Sequence, residues 1–408
     1  VPVDKPHDEE RWPVMIVEIR EAVTVLSNRY VMKWKGGGGR IVGYPCSYMP
    51  VEVIAAAGML PFRLRAMEVV STSIGSSYYG PVVCSFPKCI LQIAGERKYA
   101  FLDGAVVCNG CDTMRRLDDC WRKANDDMPG ILPSYFAHFA VPHKVTDYSV
   151  KWFAGEIRKL IGSLEKHFGV TVSDDKLKKA IAEYNRSRTL LGDLDAMRSG
   201  PDAFLSGTDA MAIFIAGTAM PAADFNALLE DVLGGLKKKN KKDALPGRRL
   251  LLVGSVIDDI DLFRTIEEAG AVIVADTVCF GSKDRTDLVR EDGDPVAALA
   301  GRYLGSVKCP RMFGDYKRRF AFLKELAEKT GAEGVILQNI RFCDLHGSEN
   351  GIFERDLEAA GIPCLRMERE YGPLGDEGRV RMRIDALLER IGAGGGGSRR
   401  ALSADRSR

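Results

Sequence analysis

The apolar positions of this chain change their period several times, and those changes divide it. Val14, Ile16, Val17, Ile19, Val23 and Leu26 recur at helical spacing, which predicts a helix from Val14 to Trp34 that breaks at the glycines Gly36 to Gly39. Arg40 to Tyr44 is a short apolar run stopped by Pro45 and Cys46, and helical spacing resumes from Pro50 to Ala57. That is strand, loop and helix, with Pro50 expected at the first helical position. Met59 to Leu64 and Phe101 to Val107 read as further strands with helical material between them, an alternation that predicts a parallel α/β sheet.

From Asp147 the pattern becomes helical throughout: Tyr148, Val150, Phe153, Ile157, Leu160, Ile161 and Leu164, then Leu177, Ala180, Ile181 and Tyr184. The basic run Lys237 to Lys242 closes this segment. It is open to reading as a nucleic-acid patch, but beside Pro246 and Gly247 it reads better as a solvated hinge. A second alternating unit follows, with strands expected at Arg249 to Ser255, Ala271 to Asp276, Gly334 to Gln338 and Ile362 to Met367. Helices are expected at Asp261 to Ala269 and Tyr316 to Lys329. The glycine-rich Gly394 to Ser398 and the basic residues after it read as a linker and tail.

Composition narrows the functional classes mainly by exclusion. With 58 basic against 56 acidic residues among 408, bulk charge does not favour a polyanion, and the net +2 is more than supplied by the four arginines of the last ten residues. No apolar run approaches the roughly 18 residues of a membrane helix, and the polar, acidic start is unlike a signal peptide. A cytoplasmic protein is expected, with no nucleic-acid or membrane partner.

The ten cysteines are the informative residues. In a reducing compartment, thiols in polar, Gly-flanked loops are more often metal ligands or catalytic groups than bridges. Ligands of open parallel sheets gather at the carboxyl ends of strands, and Cys46, Cys108, Cys111, Cys279 and Cys343 all fall at or just beyond such ends. Cys108-Asn-Gly-Cys111 alone fits a zinc half-site, a redox pair or cluster ligation. No second Cys or His pair of matching spacing follows to complete a zinc site, and the helix expected from Asp112 keeps dithiol exchange open. The density of thiols nearby, Cys84 and Cys89 with four residues between them and Cys120 with eight between it and Cys111, suits iron–sulfur ligation. Cys343 stands at another strand end, and thiolates from Cys46, Cys111 and Cys343 meeting across a cleft would hold a [4Fe–4S] cluster with one iron open to substrate or water.

Several dispersed motifs then occur in one order: Gly43-Tyr-Pro-Cys-Ser-Tyr-Met-Pro-Val-Glu-Val53, Cys108-Asn-Gly-Cys-Asp-Thr-Met-Arg-Arg116, Gly254-Ser255, Ala275-Asp-Thr-Val-Cys-Phe-Gly-Ser282, Cys309-Pro-Arg-Met312 and Arg341-Phe-Cys-Asp344. With them the chain, from about residue 40 to 390, resembles the family of the benzoyl-CoA reductases and (R)-2-hydroxyacyl-CoA dehydratases. The resemblance implies that Cys46, Cys111 and Cys343 bind a [4Fe–4S] cluster and that two related subunits, or two copies, form the working unit. It also implies that a separate ATP-hydrolysing iron–sulfur activator injects a low-potential electron, carrying an acyl-CoA thioester towards a ketyl-type radical. The chain has no GxxxxGK[ST] phosphate loop, in keeping with ATP being handled by a partner.

Within the family, the segments around Cys279 and Cys309 resemble the ring-reductase branch. A third branch, holding a double-cubane cluster on six cysteines, would draw on Cys84, Cys89 or Cys108, and Cys120. A non-catalytic partner subunit is the reading from another class.

Other roles are open. Glu52 is either a proton donor facing the cluster or a first-turn carboxylate favoured by the helix dipole. His346 is either a proton donor or a loop histidine without chemistry. His138 and His143, among Tyr135, Phe136 and Phe139, would line an acyl pocket or accompany core aromatics. Cys279 and Cys309 are expected to pack or position rather than ligate, Cys364 to be core, and Asp112 and Asp344 to cap helices. The expected architecture is two Rossmann-like, flavodoxin-like parallel-sheet domains, 40–146 and 247–392, joined by a helical segment, 147–246. An N-terminal helical segment, 1–39, precedes them, a flexible tail, 393–408, follows, and the cluster lies in the cleft between the two.

Overall fold

The computed structural model describes residues 15–66, 69–237, 244–284, 287–372, 375 and 377–394. The acidic start, most of the Lys237 to Lys242 run and the tail beyond Gly394 lie outside these. Eight strands form two parallel sheets. The first holds β1 (Ile41–Tyr44), β2 (Leu60–Arg63), β3 (Gly104–Cys108) and β4 (Tyr135–Phe139) in the order β2-β1-β3-β4. The second holds β5 (Arg248–Val256), β6 (Ala271–Cys279), β7 (Gly334–Ile340) and β8 (Cys364–Arg369) in the order β6-β5-β7-β8. The order is the same in both, so the chain builds one flavodoxin-like topology twice.

The inner strands are buried on both faces, which is why they read as continuous apolar runs rather than alternating ones. In the second sheet β5 and β7 approach closely at Gly254, whose φ is +148°. A Cβ there would lie 1.8 Å from the Gln338 carbonyl oxygen, so the Gly254-Ser255 pair is a packing requirement.

The intervening segment is helical: Asp147–Phe168, Asp174–Ser199, Gly207–Ala216 and Ala222–Lys237. The first three start at oxygen N-caps, Thr146, Ser173 and Ser206, each accepting a backbone N–H from the first turn. The two short helices are the apolar ones, because they are wedged in a single core that also contains Ile41 and Phe62 of the first sheet and Leu250 and Ile273 of the second. The two sheets therefore share one hydrophobic core rather than swinging on a bare linker.

Three local expectations change. The N-terminal helix is two, Met15–Thr24 and Arg29–Gly36. Asn28 interrupts it: its side chain accepts from Tyr30 and Val31 N–H while its amide donates to the Ala219 carbonyl. Pro50 is the N-cap of the helix Val51–Ala56 rather than its first residue. The aromatic stretch at Tyr135 is the edge strand β4, where Tyr135 packs on Phe168, Phe136 on Trp121 and Phe139 on Phe153. The three aromatics are core packing, and His138 and His143 are exposed beside them.

Candidate active site

The carboxyl ends of both sheets carry thiols. Cys46 follows β1 in a turn closed by the Met49 N–H on the Cys46 carbonyl. Cys279 ends β6, and Cys309 follows the helix Pro295–Ser306. Cys84, Cys111 and Cys343 each occupy the N-cap of a helix: Ser85–Gly95, Asp112–Asp127 and Asp344–Ala359 respectively. At Cys111 the thiol itself is the cap, and Asp112 and Asp344 stand one residue inside the first turn. Met114 N–H donates to Cys111 Sγ at 3.4 Å, and the backbone N–H groups of Tyr48, Phe86 and His346 oppose the rise of the Cys46, Cys84 and Cys343 thiols. Three helix N-termini therefore direct partial positive charge onto sulfurs.

These six thiols act on one another electrostatically, with Cys108 linked to them through Cys46 and Cys89 through Cys84. Burial, with the neighbouring charges of Cys309 and Cys279 adding to it against the Tyr48 N–H and Arg63, raises the Cys46 thiol to about 11. Burial raises Cys111 to about 12, with Cys343, Cys46 and Cys309 adding to it. Burial raises Cys343 to about 11, with Cys309 and Cys279 adding. Cys84 is raised by burial and then by Cys343 and Cys111. All six are half-buried and none is in a disulfide. Without a bound cation Cys46, Cys84, Cys111 and Cys343 are protonated at neutral pH, so a metal centre entering here displaces protons from its ligands.

The expected trio of Cys46, Cys111 and Cys343 thus lies within one group. The additional members are Cys84, Cys279 and Cys309, and the latter two join the thiols rather than only packing. Cys89 and Cys364 are buried among their own carboxylate neighbours, and Cys120 donates to the Tyr78 carbonyl on the helix flank. Cys108 is buried at the end of β3 and senses Cys46 of the group. Among the described residues no three Cys, His, Asp or Glu side chains converge closely enough to hold a single metal ion. The donors gathered here are thiols, the ligand chemistry that iron–sulfur clusters use.

Sequence reasoning missed why the CxxC carries a glycine. A methyl at Gly110 would sit 2.7 Å from Cys46 Sγ, so only glycine lets the Cys108–Cys111 loop pass the sulfur. It also missed two phenylalanines in left-handed backbone, Phe280 (φ 80°) beside Cys279 and Phe342 (φ 62°) beside Cys343. Such conformations cost on the order of 1–3 kcal/mol each and persist where the surroundings over-determine them.

Glu52 is fully buried and belongs to a different network. Arg188 donates to Oε1 at 2.5 Å and Tyr303 OH to Oε2 at 2.8 Å. Burial pushes its carboxyl up, but the charge and hydrogen bond of Arg188 prevail and hold it below the ordinary range. It is an ionised acceptor, which is the first-turn reading extended by an ion pair, rather than a proton donor. His346 stands in the first turn after Cys343, and its backbone N–H opposes the rise of that thiol. Its imidazole is buried, and burial with the nearby charges of Lys283 and Arg319 keeps it neutral.

Beside the Cys46 turn is a cavity of about 70 Å³ lined by Ser47, Arg63, Arg188, Arg302, Tyr184 and Tyr303 among others. A larger cavity of about 380 Å³ lies at the amino ends of the second sheet, against Ala271 and Glu267, and no thiol lines it. Strand-end chemistry favours the smaller one. No helix among the described residues is long and apolar enough to cross a membrane.

Residues 46–391 match the family described as "2-hydroxyglutaryl-CoA dehydratase, D-component". The chain is 28% identical to a benzoyl-CoA reductase subunit of Thauera aromatica over 316 residues, covering 75% of this chain and 79% of that one. It is 24% identical to "(R)-phenyllactyl-CoA dehydratase beta subunit" of Clostridium sporogenes, over 89% of this chain and 95% of the relative. It is 24% identical to "(R)-2-hydroxyglutaryl-CoA dehydratase, subunit beta" of Acidaminococcus fermentans, over 88% and 95%.

Proposed function

The chain belongs to the 2-hydroxyglutaryl-CoA dehydratase D-component family, and from that membership we propose that it is the iron–sulfur catalytic subunit of a low-potential acyl-CoA reductase, benzoyl-CoA reductase-like in its reaction. Family members are dehydratases and reductases, and the relatives are subunits of larger assemblies, so an enzyme acting with partner subunits is the common ground. What supports the finer reading is that Cys46, Cys111 and Cys343 stand at the carboxyl ends of both sheets and that Cys46 and Cys343 each act electrostatically on Cys111.

A [4Fe–4S] cluster held there supplies single electrons at low potential to a thioester carbonyl. Cys46, Cys111 and Cys343 would provide its thiolates, leaving one iron for substrate or water. The backbone N–H groups of Tyr48, Met114 and His346 neutralise sulfur charge, and the N-termini of the helices from Asp112 and Asp344 favour the more negative, reduced state. The electron would come from an ATP-hydrolysing iron–sulfur activator, and the second subunit would be a copy or a relative of this chain.

Two alternatives have specific support. The dehydratase reading rests on the relatives so named. It differs chemically because a dehydratase expels hydroxide and recovers its electron, whereas a reductase leaves electrons in product. The double-cubane reading gains from thiols beyond the three that act on them electrostatically, Cys84, Cys279 and Cys309, with Cys108 joined through Cys46. Anaerobic purification with iron and sulfide determination separates these: about four irons per chain supports one cubane, about eight the double cubane, and none the non-catalytic partner. Incubation with activator, ATP and either benzoyl-CoA or 2-hydroxyacyl-CoAs then decides the reaction. Net dienoyl-CoA formation supports the reductase, and enoyl-CoA formation with no net electron uptake refutes it.

A further inference from the structure

Between the thiols of the two sheets stands a buried cation. Arg63, the last residue of β2, pairs with Tyr44 at the end of β1 and is 2% exposed. Its Nη2 donates to Ser47 Oγ at 2.7 Å, next in sequence to Cys46. Its guanidinium carbon lies 3.9 Å from the centroid of Phe280, next in sequence to Cys279 and fully buried.

The Phe280 turn is itself rigid. Asp276 Oδ1 accepts the Val278 and Ser282 N–H groups, the Ser282 hydroxyl donates to the Asp276 carbonyl, and Asp276 Oδ2 is held by the buried Arg198. That pinning keeps Phe280 at positive φ and aims its ring at the first sheet. Arg63 therefore joins the Cys46 turn of one sheet to the Cys279 turn of the other, at the level of the thiols, by a hydrogen bond and a cation–π contact.

We propose that Arg63 is a positioning residue that sets the separation of the thiols from the two sheets and, by its buried charge, stabilises the more reduced state of the centre they hold. The inference rests on the iron–sulfur reading above. A buried cation interacts strongly with charge that changes nearby because little solvent screens it, and the planar guanidinium makes both contacts at once, which an ammonium cannot.

The test compares the anaerobic wild-type holoprotein with Arg63→Met and Arg63→Lys, reading iron per chain and the midpoint potential by dye-mediated titration followed by EPR. With iron equal to wild type, Arg63→Met should show at least a tenfold lower ratio of reduced to oxidised centre at fixed potential, about 59 mV downward for one electron. Arg63→Lys should recover most of that shift. A Met variant with full iron and wild-type potential overturns the inference and leaves the iron–sulfur reading intact, whereas an iron-free wild type sinks both. Should Arg63→Met not fold, Ser47→Ala and Phe280→Leu each remove one contact, and wild-type potentials in both overturn the inference.

Discussion

Replacing Glu52 by Gln isolates the buried ion pair that anchors the Cys46 turn to the helical segment. The carboxylate has no exposure, its partner Arg188 has 7%, and the two are 2.5 Å apart. Glu52→Gln retains shape and an acceptor for Tyr303 but leaves the guanidinium buried without its counter-charge, a loss of about 3–5 kcal/mol. The exposed pair Arg186–Glu230, also 2.5 Å apart but 57% and 42% exposed, is the internal control. Glu230→Gln should cost under about 1 kcal/mol. In urea unfolding followed by tryptophan fluorescence, with a slope of about 3 kcal/mol/M, Glu52→Gln should lower the midpoint by about 1 M or more. Glu52→Gln/Arg188→Met should recover much of it, because no buried charge remains unpaired. The carboxyl is held below its ordinary range, so its stabilisation is present above the unfolded value of about 4.3 and is lost as pH falls through the folded value. A Glu52→Gln cost no larger than that of Glu230→Gln, or a double variant as unstable as the two single costs combined, would refute the reasoning.

Other outcomes follow from the same geometry. Gly110→Ala places a methyl 2.7 Å from Cys46 Sγ, so iron per chain should fall several-fold while far-UV circular dichroism stays wild type. Serine at Cys46, Cys111 or Cys343 should lower iron content, and serine at Cys120 or Cys364 should leave it unchanged; full iron in all three of the first set removes the ligand assignment. Asp258, whose carboxyl accepts from the Tyr371 hydroxyl between the two sheets, is raised to about 6 by burial and by Asp259. Its protonated form is favoured on folding, so between about pH 4 and 6 it withdraws on the order of 3 kcal/mol of stability as pH rises. Asp258→Asn should flatten that part of the pH–stability profile, and an unchanged slope would count against it.

Much of the fold was legible locally. The runs at Ile41–Tyr44, Arg248–Val256 and Gly334–Ile340 are apolar because both faces of an inner parallel strand are covered, and the periodic segment from Asp147 is helical because one stripe is buried. What local pattern misread was decided by neighbours. Tyr135–Phe139 carries no strand signal of its own but is an edge strand packed on Trp121 and Phe153, and Asn28 breaks a helix because its amide is claimed by Ala219.

The candidate site divides in the same way. Sequence alone determined that Cys46, Cys108, Cys111, Cys279 and Cys343 stand at strand ends, since strand periodicity and turn residues are short-range properties, and the family motifs singled out Cys46, Cys111 and Cys343 among them. Tertiary structure alone decided that Cys84 and Cys309 act on the same thiols, that Cys120 turns to the Tyr78 carbonyl, that Glu52 faces Arg188, and that Arg63 spans the two sheets. The reason is physical. Spacing along a chain reports which face of its own element a side chain occupies, but what lies across the cleft depends on how two sheets, more than a hundred residues apart in sequence, are packed on one shared core.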